Sequence, residues 1–272
     1  MFSPITTWLA GGETMKKNER LDYIGKQLVQ NGAVSIKELA EKLNVSSMTI
    51  RRDLRKLAEE GILKLIPGGA ILKRESNIAD EQEYTVTKAQ LQMTKEKIKI
   101  CKKAALLVQE GDTIIIDTGS TTEHLPGFIP PNTSLTIICY CLNTLLSVYR
   151  HCKNSRIILP GGYFHENTLM FESPEGISLI RKMRANKAFI SAAGVDDKLG
   201  VTCANLHEVE TKRAVIESSD TKILLVDSSK FGKITTAYFA DLKEFDIVIT
   251  DAGIPEKYLK ILKDLGIKCY VV

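Results

Sequence analysis

From about residue 95 to its C-terminus the chain alternates between short apolar runs and helical stretches. TIIID, SLTIIC, SRIILP, KAFISAA, TKILLVD, DIVIT and IKCYVV are the runs. TKEKIKICKKAALLVQEGD, LNTLLSVYRHC, EGISLIRKM, EVETKRAVIESS and EKYLKILKDLG lie between them. Runs of four to six mostly β-branched residues, bounded by turns and separated by about ten helical residues, predict a mostly parallel α/β sheet. That architecture also predicts where a ligand goes, because in such sheets ligands gather beyond the carboxyl ends of the strands.

The first quarter has a different period. Leu21, Ile24, Leu28 and Val29 mark one face of a helix that stops at Asn31-Gly32. Ser35 caps a second helix, IKELAEKL, with Ile36, Leu39, Ala40 and Leu43 inward, and Asn44-Val45 turns into a third. There Ile50, Leu54 and Leu57 repeat at four and three, so they pack inward and Ser47, Met48, Arg51, Arg52 and Arg55 point mostly outward. Gly61 ends this helix, and ILKLIPGGAILKR breaks at Pro67-Gly68-Gly69 into a strand-turn-strand wing.

The charge distribution separates the two parts. Residues 1–75 hold 13 Lys+Arg against 9 Asp+Glu, and the remainder 24 against 24. A basic region on a neutral body suggests an anionic partner for that region alone. The six cysteines form no CxxC pair and no metal spacing with histidine, so neither a disulfide framework nor a metal is expected, and a reduced, cytoplasmic setting is. No run reaches the length of a membrane span, and no membrane partner is expected. MFSPITTWLAGG lacks the layout of a signal peptide; Met15 looks like a natural start, which makes residues 1–14 a disordered extension.

A solvated helix with Arg and Asp paired three or four apart would carry the same residues as MTIRRDLRKL. The setting favours another reading. A helix, a short turn, an Arg-bearing helix and a hairpin within the basic region have the layout of a winged helix-turn-helix. In that layout Arg51, Arg52 and Arg55 reach base edges or phosphates. Ser46, Ser47 and Thr49 suit the phosphate backbone, and Met48 shares their face. Helix-turn-helix proteins read paired half-sites, so a homodimer or higher homo-oligomer on operator double-stranded DNA is expected.

In the second part, IIIDTGSTTEHL runs from a strand through Gly119, Ser120, Thr121 and Thr122 into a helix. Free N–H groups and hydroxyls there form a cradle for a phosphate, although the same residues also cap ordinary helices. Asp117 lies at the strand end; Gly161-Gly162 in LPGGYFH would let a ligand approach the backbone. Lys230 follows another strand, and Glu208, Glu210, Lys212 and Arg213 in HEVETKRA offer both signs on one turn, as a surface network or as a pocket wall. Tyr140 reads equally as a core aromatic or a pocket residue. His165 and His207 fall near these loops.

VSIKELAEKLNVSSMTIRRDLRKLAEEGILKLIPGGAIL resembles the DNA-binding signature of the DeoR family of bacterial transcriptional repressors. DTGSTT, PGG, AAGV, EVETKRA, VDSSKFG and VITD continue the resemblance in the family's order to the C-terminus. The resemblance implies an α/β protein with an N-terminal winged helix-turn-helix and a C-terminal α/β sensor domain similar to ribose-5-phosphate isomerase. The expected organisation is the extension 1–14, the DNA-binding domain 15–74, a Gln-rich linker 75–94 and the effector domain 95–272. CYCLNT departs from the Thr-Asn of most of the family, placing Tyr140 at the Asn position, and is similar to its deoxyribonucleoside branch.

Two functions remain open on that resemblance. As a sugar-phosphate isomerase fused to a DNA-binding domain, Glu210 would move a proton and Lys230 would stabilise the oxyanion. As a sensor, Asp117, Gly119, Ser120, Thr121, Thr122, Tyr140, Gly161, Gly162, Glu210, Lys212 and Lys230 would bind a phosphorylated sugar without turnover. The isomerases carry an acidic DGAD segment where this chain reads AAGVD, with Ala193 in place of the first Asp. That favours the sensor, with no catalytic residue and no cofactor. The branch resemblance points to 2-deoxyribose 5-phosphate as the effector.

Overall fold

The protein is represented by a computed structural model that describes residues 17–31, 33–59, 63–66, 68–72, 85, 89 and 92–272. The expected extension 1–14, the helix stop at Gly61 and most of the stretch 75–94 lie outside the described residues. The chain divides into two compact units, Met1–Glu81 and Gln82–Val272.

In the first unit α1 (Lys17–Asn31), α2 (Ile36–Lys42) and α3 (Ser47–Glu59) close over one core. Ile24, Leu28, Leu39, Ile50 and Leu54 lie within it, as their spacing requires. Ser35 Oγ accepts the Glu38 N–H and starts α2. Asn44 takes the left-handed φ of 50° in the turn to α3, a conformation Asn tolerates better than most residues. The wing forms from β2 (Leu63–Ile66) and β3 (Gly69–Leu72). A strand the sequence did not disclose, β1 (Ala33–Ser35), pairs antiparallel with β3 and completes a three-stranded sheet in the order β1-β3-β2.

In the second unit α4 spans Thr94–Ala105. Its frame is a seven-stranded sheet whose pairs are all parallel. The strands are β4 (Thr113–Ile116), β5 (Thr136–Cys139), β6 (Arg156–Ile158), β9 (Ala185–Ser191), β12 (Ser219–Leu225), β14 (Ile247–Thr250) and β15 (Lys268–Val271), in the order β15-β14-β12-β9-β4-β5-β6. The unbroken apolar runs follow from burial on both faces. Ile114 and Ile116 of β4 enter one core, and Ile115 enters the other. Helices α5 (Leu142–His151), α6 (Pro174–Lys182), α7 (Val209–Glu217) and α8 (Glu256–Asp264) make four of the six crossovers, and a 3-10 helix, Thr122–Phe128, lies between β4 and β5.

Two additions stand on this frame. The hairpin β7 (Tyr163–His165) with β8 (Met170–Glu172) follows β6, and β10 (Gly194–Asp196), β11 (Gly200–Cys203) and β13 (Ala237–Ala240) form a small antiparallel sheet. The strand order reverses between β4 and β9: β5 and β6 extend the sheet one way, and β9, β12, β14 and β15 the other. This reversal opens a crevice beyond the carboxyl ends of β4 and β9.

Candidate functional site

At the end of α3 that follows the turn, Ser46 Oγ accepts the Thr49 N–H at 3.1 Å and lies 2.9 Å from the Thr49 hydroxyl. Ser46 is thus the cap of the helix, which fixes where its first turn points. Ser47, Met48, Arg51, Arg52 and Arg55 are exposed, and Thr49 is half-buried. The local Arg–Asp pairing of a solvated helix is absent among the described residues. Asp53 faces inward instead, and Arg20 of α1 donates Nε–H to it at 2.5 Å, both groups buried. The three arginines of α3 have no ion-pair partner among the described residues, so they form an uncompensated cationic face.

In the second unit the crevice holds a cavity that is partly open to solvent. Thr118, Gly119, Ser120 and Thr121 form one wall, from the loop after β4, and Ser191, Ala192 and Ala193 form a second, from the end of β9. Thr168 enters from the β7–β8 hairpin, Cys203 and Ala204 from the end of β11, Glu208 and Lys212 from α7 and the turn before it, and Lys230 from the turn after β12.

The loop after β4 is pinned from beneath. The Thr122 hydroxyl donates to Asp117 O at 2.7 Å, and the Ser191 hydroxyl donates to Thr118 O at 2.5 Å. A Cβ on Gly119 would stand 2.5 Å from Ser191 Oγ, so only glycine lets the loop pass β9 this closely. Among the described residues no acceptor meets the backbone N–H groups of Gly119, Ser120 and Thr121. Lys97 of α4 is fully buried and donates to Ser120 Oγ at 2.9 Å and to the Ala89 carbonyl at 2.6 Å. Burial lowers its pKa to about 8, against the opposing pull of the Asp227 carboxylate.

Asp117 organises the cavity floor. It accepts from the Tyr140 hydroxyl, from Lys212 Nζ, from the Ser191 N–H at 2.9 Å and from the Thr118 N–H at 2.8 Å. Burial, reinforced by Asp117, keeps the Tyr140 phenol protonated well above its ordinary range. Burial alone would lower the Lys212 ammonium, but Asp117 and Glu208 outweigh it and hold the pKa above its ordinary value. Glu208 stands 4.0 Å from Lys212; burial pushes its carboxyl pKa up, against Lys212 and the Asn205 hydrogen bonds.

Of the expected effector residues, Gly119, Ser120, Thr121, Lys212 and Lys230 line one cavity. Asp117, Thr122 and Tyr140 do not; they lie beneath it and hold those that do. Gly161 and Gly162 are away from it. A Cβ on Gly162 would stand 2.3 Å from Glu172 O, so this glycine serves the close crossing of β7 and β8 rather than ligand approach. Glu210 is a correction: its side chain is 66% exposed and pairs with Arg181 on the surface at 3.1 Å. Glu208 takes the inward place, since residues four apart share a helix face and Lys212 fixes which face that is. Thr168, Ser191, Cys203 and Glu208 line the cavity and are absent from the expected set, as are Thr118, Ala192, Ala193 and Ala204, while Lys97 stands behind Ser120 without lining it. Of these only Glu208 had a local signal, its spacing of four from Lys212.

His165 and His207 are also brought together, with rings stacked at 3.8 Å. The His207 ring stands 3.3 Å from the Thr168 hydroxyl, so the pair fastens the hairpin loop at the cavity edge. Burial, followed by the neighbouring His165, lowers the His207 pKa. Among the described residues no helix is long and apolar enough to cross a membrane.

Two family models match the chain: a DeoR-like helix-turn-helix domain over residues 20–76 and a DeoR C-terminal sensor domain over residues 92–252. A lactose phosphotransferase system repressor of Staphylococcus epidermidis is 36% identical, over 91% of this chain and 97% of that protein. The deoxyribose operon repressor of Escherichia coli is 33% identical, over 93% of this chain and 98% of that one. Among solved structures, a ribose 5-phosphate isomerase A of Methanocaldococcus jannaschii aligns over 50% of this chain and 53% of its own, at 16% identity and a TM-score of 0.36.

Proposed function

The chain belongs to the DeoR family through both its DNA-binding and its sensor modules, and we propose that it is a bacterial repressor of a sugar or nucleoside catabolic operon, released from operator DNA by a phosphorylated sugar. Both relatives above are named as repressors of sugar-related operons. The cationic face of α3 suits the major groove, with Arg51 and Arg52 on base edges or phosphates and Ser47, Met48, Thr49 and Arg55 beside them. A homodimer or higher homo-oligomer would present two such faces to paired half-sites.

The observation that carries the sensor reading is the loop at Gly119, Ser120 and Thr121. Among the described residues its N–H groups meet no acceptor, and the loop lines a cavity that Lys212 and Lys230 also line. This is the chemistry of a phosphate cradle. The reading is of a binder rather than an isomerase because Ala193, at the place of the isomerases' first Asp, lines the cavity, and the one carboxylate that lines it, Glu208, stands 4.0 Å from the Lys212 ammonium. A Glu at Ser120 or Thr121 places a negative side chain where the phosphate sits, so either variant should lose effector binding while retaining DNA binding. Parental affinity in calorimetry for either variant refutes the cradle.

For the effector itself we propose 2-deoxyribose 5-phosphate. Tyr140 does not line the cavity, but Ala192, Ala193 and Ala204 do. A 2-hydroxyl set against those methyl groups finds no partner, which costs about 1–3 kcal/mol. The deoxy sugar should then release operator at concentrations roughly 5-fold to 150-fold below those needed for ribose 5-phosphate. Equal potency in a competitive release titration refutes this choice of sugar and leaves the repressor reading standing.

A further inference from the structure

Lys97 has an unusual position for a buried lysine, because its two partners belong to segments with different tasks. One is Ser120 Oγ at 2.9 Å, in the loop assigned above to a phosphate. The other is the Ala89 carbonyl at 2.6 Å, in the stretch by which the chain, coming from the DNA-binding unit, enters the sensor unit. That carbonyl also accepts the Gln92 N–H at 3.1 Å, and Ala89 N–H in turn donates to Thr85 O at 3.2 Å. A single ammonium group therefore ties the phosphate loop to a turn in the connecting stretch.

We infer that Lys97 is the residue through which occupancy of the phosphate loop is passed to the connecting stretch, and so toward the DNA-binding unit. The inference rests on the phosphate reading of that loop. Without an anion, both acceptors of the ammonium are neutral. A phosphate on the Gly119, Ser120 and Thr121 N–H groups brings charged oxygens next to Ser120, and in a buried setting their field draws the ammonium toward the loop. Ser120 belongs to the loop that holds the anion, so that contact is kept and the bond to Ala89 is the one that lengthens. The Ala89–Gln92 turn loses its side-chain clamp, and the route to the DNA-binding unit loosens. Burial supports this, because an ammonium near its titration point gains more from a new anionic neighbour than a solvated one does.

Hydrogen exchange on the full chain tests the inference, with inorganic phosphate and 2-deoxyribose 5-phosphate as probes and calorimetry reporting binding. In the parent, a bound probe should speed exchange of the Gln92 amide on the order of 5-fold. In Lys97→Met the probe should still bind, through the loop N–H groups, Lys212 and Lys230, and the change at Gln92 should vanish. Lys97→Arg, which keeps the charge and the donors, should restore part of it. A probe-induced change in Lys97→Met equal to that of the parent overturns the inference, as does a parent that binds the probe with Gln92 unchanged or slowed. Loss of probe binding in both variants makes Lys97 part of the anion site itself and overturns its role as a coupler. A parent that binds neither probe refutes the phosphate reading as well, which separates the two failures.

Discussion

Replacement of Lys212 by Met should destabilise the sensor unit by about 3 kcal/mol, near the lower end of the 3–5 expected when one partner of a buried pair is removed. The side chains of Lys212 and Asp117 are 1% and 0% exposed. Met fills most of the volume, so the cost is electrostatic: the Asp117 carboxylate stays buried without its cation. The Tyr140 hydroxyl and the Ser191 and Thr118 N–H groups still donate to Asp117, which keeps the loss from the upper end. Tyr140→Phe removes one of these donors and should cost less, about 1.5–3 kcal/mol for a bond to a charged group. Urea denaturation followed on the sensor transition measures both. A Lys212→Met loss below about 1 kcal/mol would mean that the ammonium is not what balances Asp117.

Substitution of Arg51 and Arg52 together by Ala should weaken operator binding by about 2–6 kcal/mol, taking about 1–3 for each contact. Both side chains are exposed, so circular dichroism should show the fold intact. Asp53→Asn is the contrasting control. It leaves the outward face untouched but removes the buried charge that pairs with Arg20, so stability should fall first. A double variant that matches the parent in a gel-shift titration with unchanged dichroism refutes the recognition-helix assignment.

The parts of the molecule that were legible in the sequence are those whose cause is local. Ile114 to Ile116 and Thr136 to Cys139 read as strands because a sheet covered on both faces needs uninterrupted apolar runs. Ile50, Leu54 and Leu57 gave the phase of α3 by spacing alone, and the structure buries all three. Ala33–Ser35, Tyr163–His165 and Gly194–Asp196 were missed because each is three residues long, too short to show a period; the first pairs with a strand remote in sequence, the other two with the strand that follows. The cavity divides in the same way. The loop at Gly119 to Thr121 carries its own signal, whereas Thr168 and Cys203 reach the cavity from elements remote in sequence, and Lys97 reaches Ser120 from α4. Glu210 was a choice of the wrong phase: two positions from Lys212 on a helix lies on the opposite side, and four positions, at Glu208, lies on the same side.

The pairing of Asp53 with Arg20 divides α3 into two sets of residues that do not overlap. Ile50, Asp53, Leu54 and Leu57 are buried and hold the helix in place, while Ser47, Met48, Arg51, Arg52 and Arg55 face solvent. Because the acidic residue in the middle of the helix is spent on α1, it neither repels nucleic acid nor neutralises the adjacent arginines. The outward set can therefore drift through mutation without disturbing the packing beneath it. A lineage built on this helix can move to new promoters one surface residue at a time, with no intermediate that fails to fold.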